Sequence, residues 1–313
     1  MRRPPVLLLF NPAAGTKPGA SGGDRPDGTS LRSALEQRGL TVRLHQLAPE
    51  DDPETLAHGA ASEGHDVVAA GGDGTVGRAA AGLIGTEAAL GILPFGTFNN
   101  IARGVRVPSG GDAALDAIAQ GDTAQIDGGL AWPLDPAAPL PARIDADAAP
   151  ADATWFFEAA GIGLDAAGFG LAAIPAHGIV AGVRALWPVL RRRRSVIPLR
   201  IDGRVAGAHS PAITICNGPF HGFGFALAPE SDPSDGQLDV VVFRHMGRLE
   251  VLAHFLAVAR GRPRREPRVQ TMQATSVIVG DASEQLPVHA DGVPIGTTPV
   301  AVTVRPAALK VFR

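Results

Sequence analysis

The chain has 313 residues, a formal net charge of −3, 45% hydrophobic residues and 19% charged residues. Its length fits one large domain or two ordinary ones, its apolar share supports a substantial core, and its charge balance argues against non-specific nucleic-acid binding as the main activity. A lone cysteine, Cys216, excludes an intramolecular disulfide and a cysteine-based zinc cluster, and it fits a reducing compartment.

The opening Met1-Arg2-Arg3-Pro4-Pro5 precedes only about five apolar residues, too few for a signal core. No later run reaches the ~18 uncharged apolar residues of a membrane span. A cytoplasmic protein is expected, with any lipid contact peripheral at the inner membrane face. Val6 to Phe10 reads as a first strand ending at Asn11-Pro12-Ala13-Ala14-Gly15, and residues 15–30 read as a loop. A helix is expected over Leu31 to Arg38, stopped by Gly39, and a strand over Thr41 to Leu47. Asp52-Pro53 supplies an N-cap and a first-turn proline for a helix ending near Gly64. Strands follow at Asp66 to Ala70 and Leu90 to Leu93, with an Ala-rich helix over Val76 to Ile84 between them. This alternation predicts a doubly wound parallel sheet with its sites at the strands' carboxyl ends.

The character changes near Gln125. Residues 132–153 are rich in Pro, Ala and Asp and read as an exposed loop. Strand-like runs then recur at Thr154 to Ala159, Ser195 to Ile201, Ala212 to Cys216, Gln237 to Phe243, Thr275 to Val279 and Val300 to Val304. Helical segments fall within Asp165 to Leu190 and over Arg248 to Arg260. The expected organisation is an α/β domain over 1–125 and a mainly antiparallel, β-rich domain over 126–306.

Four segments carry chemistry. Gly71-Gly72-Asp73-Gly74-Thr75 closes the third strand, and such a turn aims N–H groups at an anion with a helix dipole behind it. Asp73 is expected at the tip of that turn, to hold a phosphate-bound metal or take a proton. A dinucleotide reading of Gly72-x-Gly74-x-x-Gly77 needs an acid roughly 20 positions on, and Ile92 to Gly96 has none. A purely structural glycine turn stays open.

Leu93-Pro94-Phe95-Gly96-Thr97-Phe98-Asn99-Asn100 ends the next strand, where Gly96 permits close approach and Thr97 and Asn99 offer polar groups. With Asn11 to Gly15 it makes three polar loops at the ends of separate strands. Pro229 to Val240 contains Asp232, Asp235 and Gln237; it is a β-turn before a strand or a hard-cation site of oxygen donors. Val288-His289-Ala290-Asp291-Gly292-Val293 is a hairpin turn or a carboxylate site. Gly19 to Gly23 matches the serine-hydrolase elbow but lies in the loop. Arg191 to Arg194 is a solvated helix end or a contact for anionic lipid. The nine histidines show no ligand-like cluster.

These segments, in this order, resemble the diacylglycerol kinase catalytic-domain family, which includes sphingosine, ceramide and bacterial lipid kinases. The resemblance covers nearly the whole chain. It implies a nucleotide-binding α/β domain, a β-rich lipid domain, an active site in their cleft, and a last strand over 307–313 returning to the first domain. It implies ATP and Mg²⁺ as cofactors and a membrane-surface lipid as acceptor, and it leaves a homodimer open. Asn11, Gly72 to Thr75 and Thr97 match ATP-contacting positions, with Gly71, Gly96 and Asn99 beside them. Asp232, Asp235 and Gln237 match a magnesium site, Asp235 through its side chain and the others through carbonyls. Asp291-Gly292 matches an Asp-Gly-Glu segment whose carboxylates deprotonate the lipid hydroxyl, with Asp73 the other candidate base. Val293 stands at the glutamate's place, and Asn100 where Asp is common. NAD kinases also carry Gly-Gly-Asp-Gly, and a weak nucleotide- or lipid-binding protein on the same fold is a further reading.

Overall fold

The computed structural model describes residues 3–15, 26–108, 111–167, 196–259, 266–281 and 285–313. The elbow match at Gly19 to Gly23, Arg191 to Arg194, and most of the helix expected within Asp165 to Leu190 lie outside the described residues. The chain divides into two compact units, one of Met1–Asp127 with Ala307–Arg313 and one of Gly128–Pro306.

In the first unit, β1 (Val6–Phe10), β3 (Asp66–Gly71) and β4 (Ala89–Pro94) are buried almost throughout, and β2 (Val42–Gln46) lies at the edge. Continuous apolar runs suit strands covered on both faces, and the sheet is parallel in the order β2-β1-β3-β4. The last strand, β18 (Val300–Phe312), adds to it in parallel through Lys310 opposite Ala89 and Val311 opposite Leu90. Helices α1 (Gly28–Gln37), α2 (Pro53–Ser62), α3 (Asp73–Leu83), α4 (Asn100–Gly104) and α5 (Gly111–Gln120) accompany the strands. Asp52 caps α2 as its sequence implies, accepting from Glu54 N at 3.0 Å and Thr55 Oγ1 at 2.7 Å. One core joins Leu8, Phe10, Leu31, Leu35, Val68, Leu93, Leu115 and Phe312.

Helix α3 packs against α2 so closely that a Cβ on Gly82 would sit 2.2 Å from the Glu54 carbonyl oxygen. The obstacle is backbone, which cannot rotate away. Gly82→Ala should therefore destabilise the protein by at least about 2 kcal/mol. An unchanged thermal midpoint would contradict this packing.

The second unit is antiparallel. Strands β14 (Val269–Ala274), β13 (Leu238–Phe243), β10 (Ala212–Cys216), β7 (Ala159–Gly163), β16 (Pro287–Ala290) and β17 (Val293–Thr297) form one sheet in that order. In another, residues 300–303 of β18 pair with β15 (Ser276–Val279), β15 with β8 (Ile197–Ile201), and β8 with β9 (Arg204–Ala208). Strand β5 (Thr123–Pro133) pairs with β6 (Thr154–Phe156) and also with β18. A short pair, β11 (Phe220–His221) with β12 (Phe225–Ala226), a 3-10 turn over Ala146–Ala148 and helix α6 (Arg248–Ala259) complete the described elements. Ile162, Ile213, Val240, Val277 and Val302 share the main core. The segment read as an exposed loop over 132–153 is partly anchored: Ile144 is buried, and Leu134 and Leu140 pack beside Trp132 and Ile278. Among the described residues no helix is long and apolar enough to cross a membrane.

Candidate functional site

In the first unit, the ends of β1, β3 and β4 bring three polar loops together. Helix α3 begins at Asp73, three residues before the expected Val76, with Gly72 as N-cap. Asp73 is therefore the first residue of a helix and not the tip of a turn. Gly71, Gly72 and Gly74 are absent from the positive-φ positions, so closeness explains them better than left-handed backbone. A Cβ on Gly71 would lie 2.7 Å from the Thr75 Cβ, and one on Gly96 would lie 2.6 Å from the Gly72 Cα. The β3 and β4 loops thus touch backbone to backbone, and Phe95 N donates to Gly71 O at 2.8 Å.

Asn11 ties in the third loop. Its backbone N–H donates to Ala70 O at 2.9 Å, and its Nδ2 donates to the Oγ1 of buried Thr75 at 2.8 Å. Asn99 has φ 52°, and its side chain accepts from Gly96 N at 2.7 Å and donates to Gly96 O at 2.9 Å. It closes its own loop, where the sequence suggested a ligand contact. Thr97 and Gly74 are exposed. The Asp73 carboxylate accepts from Ile101 N at 3.0 Å, so it also caps α4. Burial raises the Asp73 pKa, against backbone hydrogen bonds from Ile101, Asn99 and Asn100 that lower it. With the positive end of the α3 dipole beside these glycines, the loops suit an anion such as a phosphate.

In the second unit, the Asp232–Gln237 turn is held by its own carboxylates. Asp232 Oδ1 accepts from Ser234 N and Oγ, and Asp235 accepts from Gln237 N at 2.9 Å and Gln273 Nε2 at 3.3 Å. Asp235 is exposed, and Asp239 behind it is buried, its pKa raised by burial and further by Asp235 and Glu230. A turn of oxygen donors with its Asp235 carboxylate exposed, in a negative field, suits a hard cation.

Asp291 and Gly292 form a two-residue hairpin between β16 and β17, with φ of 46° and 81°. The Asp291 carboxylate accepts from the backbone of Phe157 at 2.7 Å, Glu158 at 3.0 Å and Ala159 at 3.0 Å. Burial pushes its pKa up to about 6 even though those three donors favour the charged form. Val293 is 54% exposed, so its apolar side chain fills no core position.

Two family models cover most of the chain: the diacylglycerol kinase catalytic domain matches residues 5–131, and the YegS C-terminal NAD kinase beta sandwich-like domain matches residues 176–313. A curated protein named "Diacylglycerol kinase" from Mycobacterium tuberculosis is 30% identical over 321 residues, spanning 98% of this chain and 94% of that one. The chain belongs to the diacylglycerol kinase catalytic-domain family. A "Probable lipid kinase YegS" from Salmonella gallinarum is 26% identical over 332 residues, covering 98% of this chain and 95% of the relative. The fold is shared with a crystal structure described as a diacylglycerol kinase from Bacillus anthracis, at TM-score 0.70 and 18% identity, covering 100% of this chain and 97% of that one.

One group escaped the sequence. The histidines were read as showing no ligand-like cluster, yet His221 and His289 meet Asp165 in the interior of the second unit. Burial alone would raise the Asp165 pKa, but the two imidazoles and the Thr214 hydroxyl hold it below the usual value. Burial lowers His289 to about 4. The three residues are far apart in sequence: Asp165 follows β7, His289 lies on the neighbouring β16, and His221 comes from the β11–β12 pair.

Proposed function

We propose that this family member is an ATP- and Mg²⁺-dependent lipid kinase that transfers the γ-phosphoryl group to a hydroxyl of a diacylglycerol-like or sphingoid lipid. The observation that carries the reading is the convergence of Asn11, Gly71–Thr75 and Gly96–Asn99 at three adjacent strand ends of the first unit. Glycine backbone and the α3 dipole would cradle the phosphates, with Thr97 exposed to reach the nucleotide. Phosphoryl transfer rests chiefly on alignment and charge stabilisation, which such a rigid cradle supplies. The exposed Asp235 carboxylate, with the Asp232 and Gln237 carbonyls, would hold Mg²⁺. Bound there, the ion would supply a fixed positive charge beside Asp239 and Glu230.

Asp291 is the favoured base for the lipid hydroxyl, since a pKa of about 6 leaves it ionised but basic near neutral pH. The acceptor would be met at a membrane surface by peripheral contact. The second reading, a weak nucleotide- or lipid-binding protein, draws on the same residue, because three backbone donors already occupy the Asp291 carboxylate and, on the family resemblance, Val293 takes a glutamate's place. Incubation with γ-labelled ATP and a panel of diacylglycerols, ceramides and sphingoid bases in mixed micelles separates the two. Label in the lipid fraction that requires added Mg²⁺ supports the kinase. Nucleotide binding with no labelled lipid across the panel supports the binding protein.

A further inference from the structure

The second unit holds a buried set of donors that the kinase reading does not use. Gly161 on β7 lies opposite Thr214 on β10 and opposite His289 on β16. Asp165 follows β7, and His221 arrives from β11. Asp165 is 6% exposed and both histidines 1%. Their imidazole rings stack with centroids 5.6 Å apart at 2°. His221 Nε2 is 3.3 Å from the Asp165 carboxylate and His289 Nε2 is 3.9 Å from it, while Thr214 Oγ1 donates to Asp165 at 2.8 Å.

His221 Nε2 makes a long hydrogen bond to Asp165 Oδ1 at 3.3 Å, while His289 Nε2, at 3.9 Å, stands beyond hydrogen-bond reach of that carboxylate. Three N and O donors sharing one ion at about 2.0–2.2 Å stand roughly 3.4 Å from one another, and all three ligand atoms here lie within 4.8 Å of each other. Glycine at 161 keeps the space between them open, since a Cβ there would lie 2.3 Å from His289 Nε2 and 2.4 Å from Asp165 Oδ2.

We propose that Asp165, His221 and His289 form a site for one divalent transition-metal ion of the zinc type. Two imidazoles and a carboxylate select such an ion over Mg²⁺, which prefers oxygen donors. The site is thus separate in chemistry from the Asp232–Gln237 turn. Its burial and its donors from β11, β16 and the end of β7 give it a structural role, tying these elements together. Gly292 N donates to His289 Nδ1 at 3.1 Å, which leaves the neutral ring's proton on Nε2. Metal binding at Nε2 therefore needs the other tautomer, in which Nδ1 carries the proton and the Gly292 bond is broken.

The test uses the full chain, stripped with a chelator, checked for folding by circular dichroism and titrated with Zn²⁺ or Co²⁺. The expected result is one equivalent per chain, Co²⁺ visible bands of a low-coordinate N/O site, a higher thermal midpoint with Zn²⁺, and no such effect of Mg²⁺. His221→Gln with His289→Gln should weaken binding more than about 100-fold, while His245→Gln, in the exposed His209–His245 stack, should leave it intact. Absence of stoichiometric uptake by the folded wild-type chain would overturn the proposal. So would double-variant binding as tight as wild type, or loss of the ion in His245→Gln.

Discussion

Asp73→Asn should lower Mg·ATP-dependent phosphoryl transfer at least about 100-fold while leaving the chain folded. The substitution keeps the shape and one acceptor oxygen, so the bond from Ile101 N can survive in neutral form. What it removes is the negative charge at the first position of α3, beside the glycines that Gly72 and Gly96 press together. Loss of the charge on a helix cap costs about 0.5–1 kcal/mol, a shift of a few degrees in thermal midpoint. The two effects therefore separate. Steady-state rates on a labelled lipid, normalised to folded protein, should fall far more than stability does. Wild-type turnover in a stably folded Asp73→Asn chain would remove Asp73 from the chemistry and leave it only the role of holding α4.

Substitutions at Asp291 and Val293 should move activity in opposite directions. In Asp291→Asn an amide NH₂ must face either Phe157 N–H or the pair from Glu158 and Ala159, since both carboxylate oxygens are occupied by donors. A donor set against donors costs about 1–3 kcal/mol, so this variant should melt earlier. If Asp291 takes the proton of the lipid hydroxyl, activity per folded molecule should also fall by about 10²–10⁴-fold. Val293→Glu places a carboxylate at an exposed strand position, with a stability change within about 0.5 kcal/mol. It should raise the rate on diacylglycerol-like or sphingoid lipids. A Glu variant with no gain, together with an Asn variant whose only defect is thermal, would show that neither position handles the proton. The binding-protein reading would then be preferred.

What the sequence revealed follows from local physics. The apolar runs of β1, β3 and β4 could only be doubly covered strands, and Asp52-Pro53 could only open a helix. The glycines of Gly71–Thr75 and Gly96 were legible as points of close approach, but their partner was not: each loop's near neighbour is the other loop's backbone. The start of α3 was missed because a Gly-Gly-Asp-Gly-Thr run has poor helix propensity, and burial of Thr75 and Val76 overrides it. Asn99 read as a ligand contact, but its left-handed backbone turns the amide onto Gly96. Strand β18 runs well past Val304 because the chain resumes pairing beyond Pro306, where buried Asp127 accepts from Ala307 N at 2.8 Å. The Asp165–His221–His289 group left no sequence signal, since only the fold brings the end of β7, the β11–β12 pair and β16 together.

Calorimetric titration of Mg·ATP into the wild-type chain and into Gly96→Ala tests the central claim, that three strand-end loops of the first unit hold a nucleotide's phosphates. A methyl on Gly96 would meet the Gly72 Cα at 2.6 Å and Asn99 Oδ1 at 2.8 Å, so it must push the two loops apart. The account expects saturable binding of Mg·ATP to wild type, no binding of NADH alone, and at least a tenfold loss of affinity in a folded Gly96→Ala chain, about 1.4 kcal/mol. Tighter binding of NADH than of Mg·ATP, or undiminished ATP affinity in Gly96→Ala, would contradict it.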